Sequence, residues 1–356
     1  MIKSLHVKGF TLFHQARMEF VPGVNVIIGS NGTGKSHLLK LAYTASRWSQ
    51  EMARRTAKQG TRPDKATMQK ELGGKLLRVF RPDQLGRLTS RSPGRNRAEV
   101  EVAFTSRPKA GYAFSFATNS AKEVSLDRPP TEFLEGGAVF LPTKEMLSMF
   151  PGFAELYDNV SIQVDETYAD LCRALAHPLL RGPRFAEINR LLRPLEKVLG
   201  GSIRNEQGRF YLVQKGSGKF EISLVAEGFR KLGTIAYLLG NGVLSEQSVL
   251  FWDEPETNLN PAYMREVVKV IAEIAANGTQ VFLATHSLFI LREISLMESS
   301  ASRRFFALSE RSKDLSAEWD RRATLVSQGD SAEEIEPIAA LEAEIEQNER
   351  FLSAST

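Results

Sequence analysis

Two adjacent carboxylates, Asp253 and Glu254, follow the apolar run Val249-Leu250-Phe251-Trp252 and precede Pro255-Glu256-Thr257-Asn258-Leu259-Asn260-Pro261. Acids at the end of an apolar strand suit nucleotide hydrolysis: Asp253 holds a magnesium ion through water, and Glu254, directed elsewhere by the chain, polarises the attacking water. Far upstream, Gly29-Ser30-Asn31-Gly32-Thr33-Gly34-Lys35-Ser36 fits G-x-x-x-x-G-K-[ST] at every fixed position. A polyphosphate needs main-chain N–H groups turned inward. Gly29, Gly32 and Gly34 permit those dihedrals, and Ser30, Asn31 and Thr33 complete the loop. Lys35 then reaches the β and γ phosphates, and Ser36 offers its hydroxyl to magnesium. His286 ends Gln280-Val281-Phe282-Leu283-Ala284-Thr285, one strand beyond the carboxylates, where a γ-phosphate sensor belongs. The bland alternatives are a glycine-rich turn, an ordinary acidic strand end and a structurally satisfied histidine. The three motifs in this order favour one chemical site.

The elements around these residues follow from pattern. Residues 2–8, 17–20 and 24–28 read as strands, the last running into the glycine loop, and helical spacing continues from Lys35 to about Ser49. Residues 47–97 read as an irregular insertion broken by glycines and prolines. Residues 98–105, 111–117 and 122–126 read as an antiparallel hairpin set, and Gly137-Ala138-Val139-Phe140-Leu141 as a further strand. Helical spacing dominates 144–199. Residues 202–225 read as two strands around Gly216-Ser217-Gly218-Lys219, a hairpin turn rather than a second phosphate loop. Helices are expected at 229–239 and 262–276, flanking the Val249 strand, and a core strand at 280–284. The last 70 residues are polar, with acidic helical periodicity over 338–352.

Composition narrows the class. With 356 residues and 42% apolar content the chain can bury a sizeable core. No apolar run is long enough for a membrane span, and the single cysteine, Cys172, excludes an internal disulfide and a CxxC metal site, which fits a reducing cytoplasm. The net charge is +4, yet residues 47–97 hold fourteen Lys or Arg against four acids, leaving the rest of the chain acidic. That segment suits nucleic-acid phosphates, an acidic protein partner or plain solvation; poor aromatic interleaving argues against base stacking.

The order of motifs resembles the ATP-binding cassette (ABC) ATPases, in the branch that includes RecF, the SMC proteins and the OLD ATPases. The likeness rests on Ile2-Lys3-Ser4-Leu5-His6-Val7-Lys8-Gly9-Phe10, the glycine loop, Asp253-Glu254-Pro255-Glu256 with Asn258-Leu259-Asn260-Pro261, and Ala284-Thr285-His286-Ser287. It implies an α/β P-loop NTPase fold: an ABC-ATPase head with a mixed central sheet, an antiparallel β subdomain and a helical lobe. The expected division is 1–142 for the first lobe with its basic insertion, 143–225 for the helical lobe with a β-hairpin, 226–295 for the signature-like helix, carboxylate strand and histidine loop that complete the ATPase core, and 296–356 for a polar C-terminal extension. The resemblance implies ATP and Mg2+ as cofactors, bound between two heads of a homodimer or higher oligomer, with Ala226, Glu227 and Gly228 as the signature loop capping a partner's nucleotide. These residues depart from L-S-G-G-Q, since Ala226 replaces the serine and Glu227 the first glycine. Residues 142–145 would form the link between lobes. Neither long coiled coils nor a nuclease domain is visible, so the resemblance implies a stand-alone ATPase, the switch subunit of an anti-phage defence complex with a separate nuclease or toxin as effector. The alternatives are a RecF-like DNA-repair ATPase using the basic segment, and an ATP-dependent scaffold that sequesters a toxin with little catalysis. The altered signature and the insertion argue against a transporter subunit.

Overall fold

The alternating N-terminus forms β1 (Ile2–Phe10), which turns back as β2 (Phe13–Glu19). Next comes β3 (Val24–Gly29), buried at all of its positions and leading through the glycine loop into α1 (Lys35–Gln59). Asp64 caps α2 (Lys65–Phe80) by accepting from Thr67 N at 2.8 Å. Strands β4 (Arg97–Phe104), β5 (Tyr112–Ala117), β6 (Ser125–Arg128) and β7 (Ala138–Leu141) precede helices α3 (Phe153–Asn159), α4 (Glu166–Leu175) and α5 (Pro183–Leu199). A meander of β8 (Gly201–Glu206), β9 (Arg209–Gln214) and β10 (Gly218–Glu221) leads to α6 (Glu227–Gly240). The chain ends with β11 (Val249–Asp253), α7 (Pro261–Ala276), β12 (Gln280–Thr285), α8 (Leu288–Ser295), β13 (Arg303–Glu310), β14 (Thr324–Gly329) and α9 (Ala339–Ala354). This computed structural model describes residues 1–91, 94–160, 162–310 and 323–354, without the side chains of 183–187.

The central sheet has the order β14-β13-β3-β12-β11-β7, with only β14 antiparallel to its neighbour. A parallel sheet covered on both faces needs apolar residues at successive positions, which explains the unbroken runs in β3, β11 and β12. Leu250, Trp252, Val281, Leu283, Val26 and Ile28 face one core with α4 to α8. Ile27, Phe251, Phe282 and Phe306 face the other, with α1 and the antiparallel sheet β2-β1-β4-β5-β6. There Phe251 and Phe282 stack with ring centroids 5.0 Å apart. Buried Gln280 ties the two sheets: its Oε1 accepts from Ile2 N at 2.7 Å, and its Nε2 donates to Ile2 O at 2.8 Å and Val21 O at 2.9 Å.

Three expectations are corrected. The basic segment is not irregular: α1 continues to Gln59, and α2 spans Lys65–Phe80. Gly73 within α2 marks close packing rather than a break, since a Cβ there would lie 2.2 Å from Lys122 O. Nor is the basic charge all outward. Lys75, with no exposed surface, pairs with Glu51, Glu166 and Asp170 at 2.9, 3.1 and 2.8 Å. Arg47 pairs with Glu51, Arg78 with Glu166 and Arg55 with Glu71, while Arg54, Lys58, Lys65, Lys70, Arg87, Arg91 and Arg95 remain exposed. Second, the tail from residue 296 is not polar throughout: β13 pairs in parallel with β3 and buries Phe305, Phe306, Ala307 and Leu308. Third, the region 202–225 holds three strands rather than two.

Candidate active site

The parallel strands deliver their C-terminal ends to one edge of the sheet, where α/β folds place ligands. Gly29 ends β3, Asp253 ends β11 opposite Ala284, and Thr285 ends β12 opposite Ile28. The glycine loop, the acids and His286 therefore meet through strand pairing alone.

The glycine loop is held by its own chemistry. Gly32 and Gly34 have φ of +84° and +92°, and a Cβ on Gly34 would lie 3.1 Å from the Phe13 ring. Thr33 Oγ1 donates to Ser30 O at 2.9 Å, and Thr324 Oγ1 of β14 donates to Thr33 O at 2.9 Å. Asn31 is exposed at the loop's outer turn. Lys35 Nζ donates to Gly29 O and Ser30 O at 2.7 and 2.8 Å, so its ammonium lies across the loop. Burial lowers its pKa, while Glu254, Asp253 and Glu256 pull it back up.

Asp253 is 6% exposed. Burial raises its pKa; the hydrogen bond from the Ser36 side chain opposes this, Glu254 adds to it, and Lys40 and Lys35 oppose it. Its Oδ1 is buried with no hydrogen-bond partner. A buried, unsatisfied carboxylate oxygen beside a serine hydroxyl is a hard-oxygen donor set that fits Mg2+, which takes one or two protein ligands with phosphate and water. Among the described residues no group of three or more His, Cys, Asp or Glu side chains can hold a metal.

Glu254 continues the ladder through its N–H to Ala284 O at 2.9 Å, but at φ +50°. Such a conformation in a non-glycine residue is held by its surroundings. Thr257 Oγ1 donates to Glu254 Oε2 at 3.2 Å. Glu256, to which residue type and spacing assign no chemistry, ties the histidine loop to the carboxylate loop. Its Oε1 accepts from Thr285 Oγ1 at 2.6 Å and from His286 N at 3.0 Å, and lies 3.3 Å from His286 Nδ1. Glu254 Oε1 is 3.9 Å from that same nitrogen. The available signal was a third acid two residues past Glu254, set off by Pro255.

Ala226 caps α6 without a side-chain hydrogen bond, and Glu227 and Gly228 form its first turn. Gly228 packs on the carboxylate loop of its own chain: a Cβ there would lie 2.6 Å from Asn258 O. Among the described residues no hydrogen bond or ion pair joins these three to residues 29–36. Further along, Arg230 Nε lies 2.9 Å from Glu145 Oε1, and Lys231 Nζ donates to Thr257 O at 3.0 Å.

The fold and the convergence of these motifs define a P-loop NTPase of the ABC-type ATPase class. Within that class, the chain belongs to the family described as "AAA domain, putative AbiEii toxin, Type IV TA system", whose pattern matches residues 24–292. No curated protein matches the chain. Among solved structures it is similar to an Smc head bound to the C-winged helix domain of ScpA, at 16% identity and TM-score 0.55, covering 93% of this chain and 98% of that one. It is also similar to an SMC head domain from Thermotoga maritima, at 14% identity and TM-score 0.51, covering 91% and 97% of the two chains. A third is an Smc head with an extended coiled coil bound to the C-terminal domain of ScpA from Pyrococcus furiosus, at 13% identity and TM-score 0.51, covering 98% and 99%. At these identities the likeness concerns the fold. Among the described residues no helix is long and apolar enough to cross a membrane.

Proposed function

We propose that the protein is a Mg2+-dependent ATPase that closes on ATP as a homodimer and acts as the switch subunit for a separate effector polypeptide. The observation that carries the hydrolytic reading is the buried, unpartnered Asp253 Oδ1 beside Ser36, one residue before a Glu254 carboxylate oriented by Thr257. In this reading the main chain of residues 29–34 and the Lys35 ammonium bind the phosphates. Ser36 and Asp253 would hold Mg2+, which when bound supplies charge neutralisation on the phosphate oxygens. Glu254 accepts the proton of the attacking water, and His286, held by Glu256, donates toward the γ-phosphate. The start of the signature-like helix, where Ala226 is exposed and Glu227 half-buried, is available to cap a second copy's nucleotide, its N–H groups standing in for the missing serine.

The role as a switch draws on the family description, which names a toxin and a type IV toxin–antitoxin system. The DNA-repair alternative keeps support from exposed Arg54, Lys58, Lys65 and Lys70 on α1 and α2. Nucleic-acid affinity that falls steeply with salt would favour it; a flat salt response rejects it.

The test is Glu254→Gln. Turnover should fall by about 100-fold or more with ATP binding retained, and an ATP-bound dimer should accumulate in light scattering after size exclusion. Wild-type turnover in this variant rejects the assigned role. An unchanged monomer mass in ATP rejects the dimer.

A further inference from the structure

We infer that Lys231 is a positioning residue for hydrolysis, acting from the signature-like helix α6 through Thr257 to aim the carboxylate of Glu254. This rests on the ATPase reading above.

The path is continuous within one chain. Lys231 is 5% exposed and donates to Thr257 O at 3.0 Å. Thr257 N in turn donates to Glu254 O at 3.2 Å, and its hydroxyl to Glu254 Oε2 at 3.2 Å. Main chain and side chain of Glu254 are thus both referred to a residue that α6 holds. The left-handed backbone at Glu254, φ +50°, is not one that residue type prefers, so the loop needs such external ties. Gly228 sits against Asn258 O and Leu259, which fixes the helix start to the same loop. Neighbouring Arg230 pairs with Glu145 after β7, so two successive cations tie α6 to segments following two sheet strands.

The residue type matters. A buried ammonium gives up hydration, and burial lowers the Lys231 pKa; Glu227, Glu256, Glu254 and Asp253 offset part of that cost. Glu254, Asp253 and Glu256 act on Lys35 of the phosphate loop as well. These three acids are thus shared by a lysine of the phosphate loop and a lysine of α6. An apolar side chain at 231 would fill space yet leave Thr257 O without its donor and the loop free to relax.

The experiment compares wild type, Lys231→Met, Lys231→Arg and Thr257→Val, alone and with Glu254→Gln, by steady-state ATP hydrolysis and equilibrium binding of a fluorescent ATP analogue. Lys231→Met should lower kcat about 10- to 100-fold with KM and analogue Kd within about twofold, since a misaimed base costs turnover rather than affinity. Lys231→Arg should recover most of the loss. Thr257→Val, which keeps the Lys231 contact and removes only the hydroxyl, should lower kcat with no loss of melting temperature, so the inference stays testable if Lys231→Met fails to fold. In the Glu254→Gln background neither change should slow turnover further. An unchanged kcat, a loss carried by KM, or an additional multiplicative loss in that background overturns the inference. A wild-type chain that does not hydrolyse ATP overturns the ATPase reading instead.

Discussion

Glu256 shows how much of this site is made by residues that do no chemistry. One of its carboxylate oxygens serves Thr285, the His286 main chain and the His286 ring together, while the other is buried with no partner. Glu256→Gln keeps the shape but replaces a charged acceptor with a neutral one. The expected outcome is a fall in kcat of about 10-fold with nucleotide affinity retained, checked by single-turnover hydrolysis. A change confined to affinity would place Glu256 on the nucleotide instead. Gly228 offers a second check at this scale. Gly228→Ala must displace either the Asn258 carbonyl, 2.6 Å from the new methyl, or Leu259 Cδ2 at 2.7 Å. It should lower stability by about 1–3 kcal/mol by chemical denaturation, with a loss of turnover, because the displaced loop carries Glu254.

Among the elements, α1, α2 and α4 are joined around the buried charges of Lys75 and Asp170. Asp170 accepts from Tyr43 Oη at 2.6 Å, Lys75 Nζ at 2.8 Å and Arg173 Nη1 at 2.9 Å. Burial disfavours the Asp170 carboxylate, yet Lys75 and Arg47 overcome this and hold its pKa at about 2. The unfolded-state value is about 3.9, so the folded value is depressed, and the contribution to stability is full above about pH 4 and lost as pH falls toward 2. Lys75 is raised despite its burial, by Asp170, Glu51 and Glu166, so its contribution is full at neutral pH and is lost only as pH rises through its folded value. Asp170→Asn should cost about 3 kcal/mol at pH 7 and flatten the acid limb of the stability profile between pH 4 and 2. Urea titration across pH measures both. The cluster also explains why a segment rich in arginine and lysine is no uniform docking face: part of its charge is neutralised by α4.

At the scale of the whole molecule, the C-terminal region completes the sheet edge that carries the glycine loop. β13 covers one side of β3, Leu308 O lies 2.4 Å from where a Cβ on Gly29 would be, and Thr324 of β14 holds Thr33 O. A chain truncated after residue 295 would leave β3 with an open edge on the phosphate-loop side. It should lose the cooperative unfolding transition or fail to stay in solution, as followed by circular dichroism and light scattering. A truncated chain that melts cooperatively near the full-length temperature would show that the tail is dispensable. The point change Phe306→Ala, at a site with no exposed surface, should cost about 3–5 kcal/mol.

The sequence by itself determined the order of phosphate loop, carboxylates and histidine, and with it the family. Glycine dihedrals, a lysine reach and strand-end acids are local requirements that residue type and spacing express directly. The apolar runs at Val24, Val249 and Gln280 were legible as buried strands for the same reason. Tertiary structure decided what depends on a distant partner. Gly73-Gly74 read as a break because a helix rarely carries two glycines, and only the nearness of Lys122 accounts for Gly73. The tail read as polar because Phe305-Phe306-Ala307-Leu308 is short, and its place beside β3 is set by a strand pairing across 279 residues from Val24 to Arg303. Lys231 carries no motif of its own, and the motif that holds Glu256 does not say what it touches: what each does depends on which groups of the folded chain come within hydrogen-bond distance of its charge.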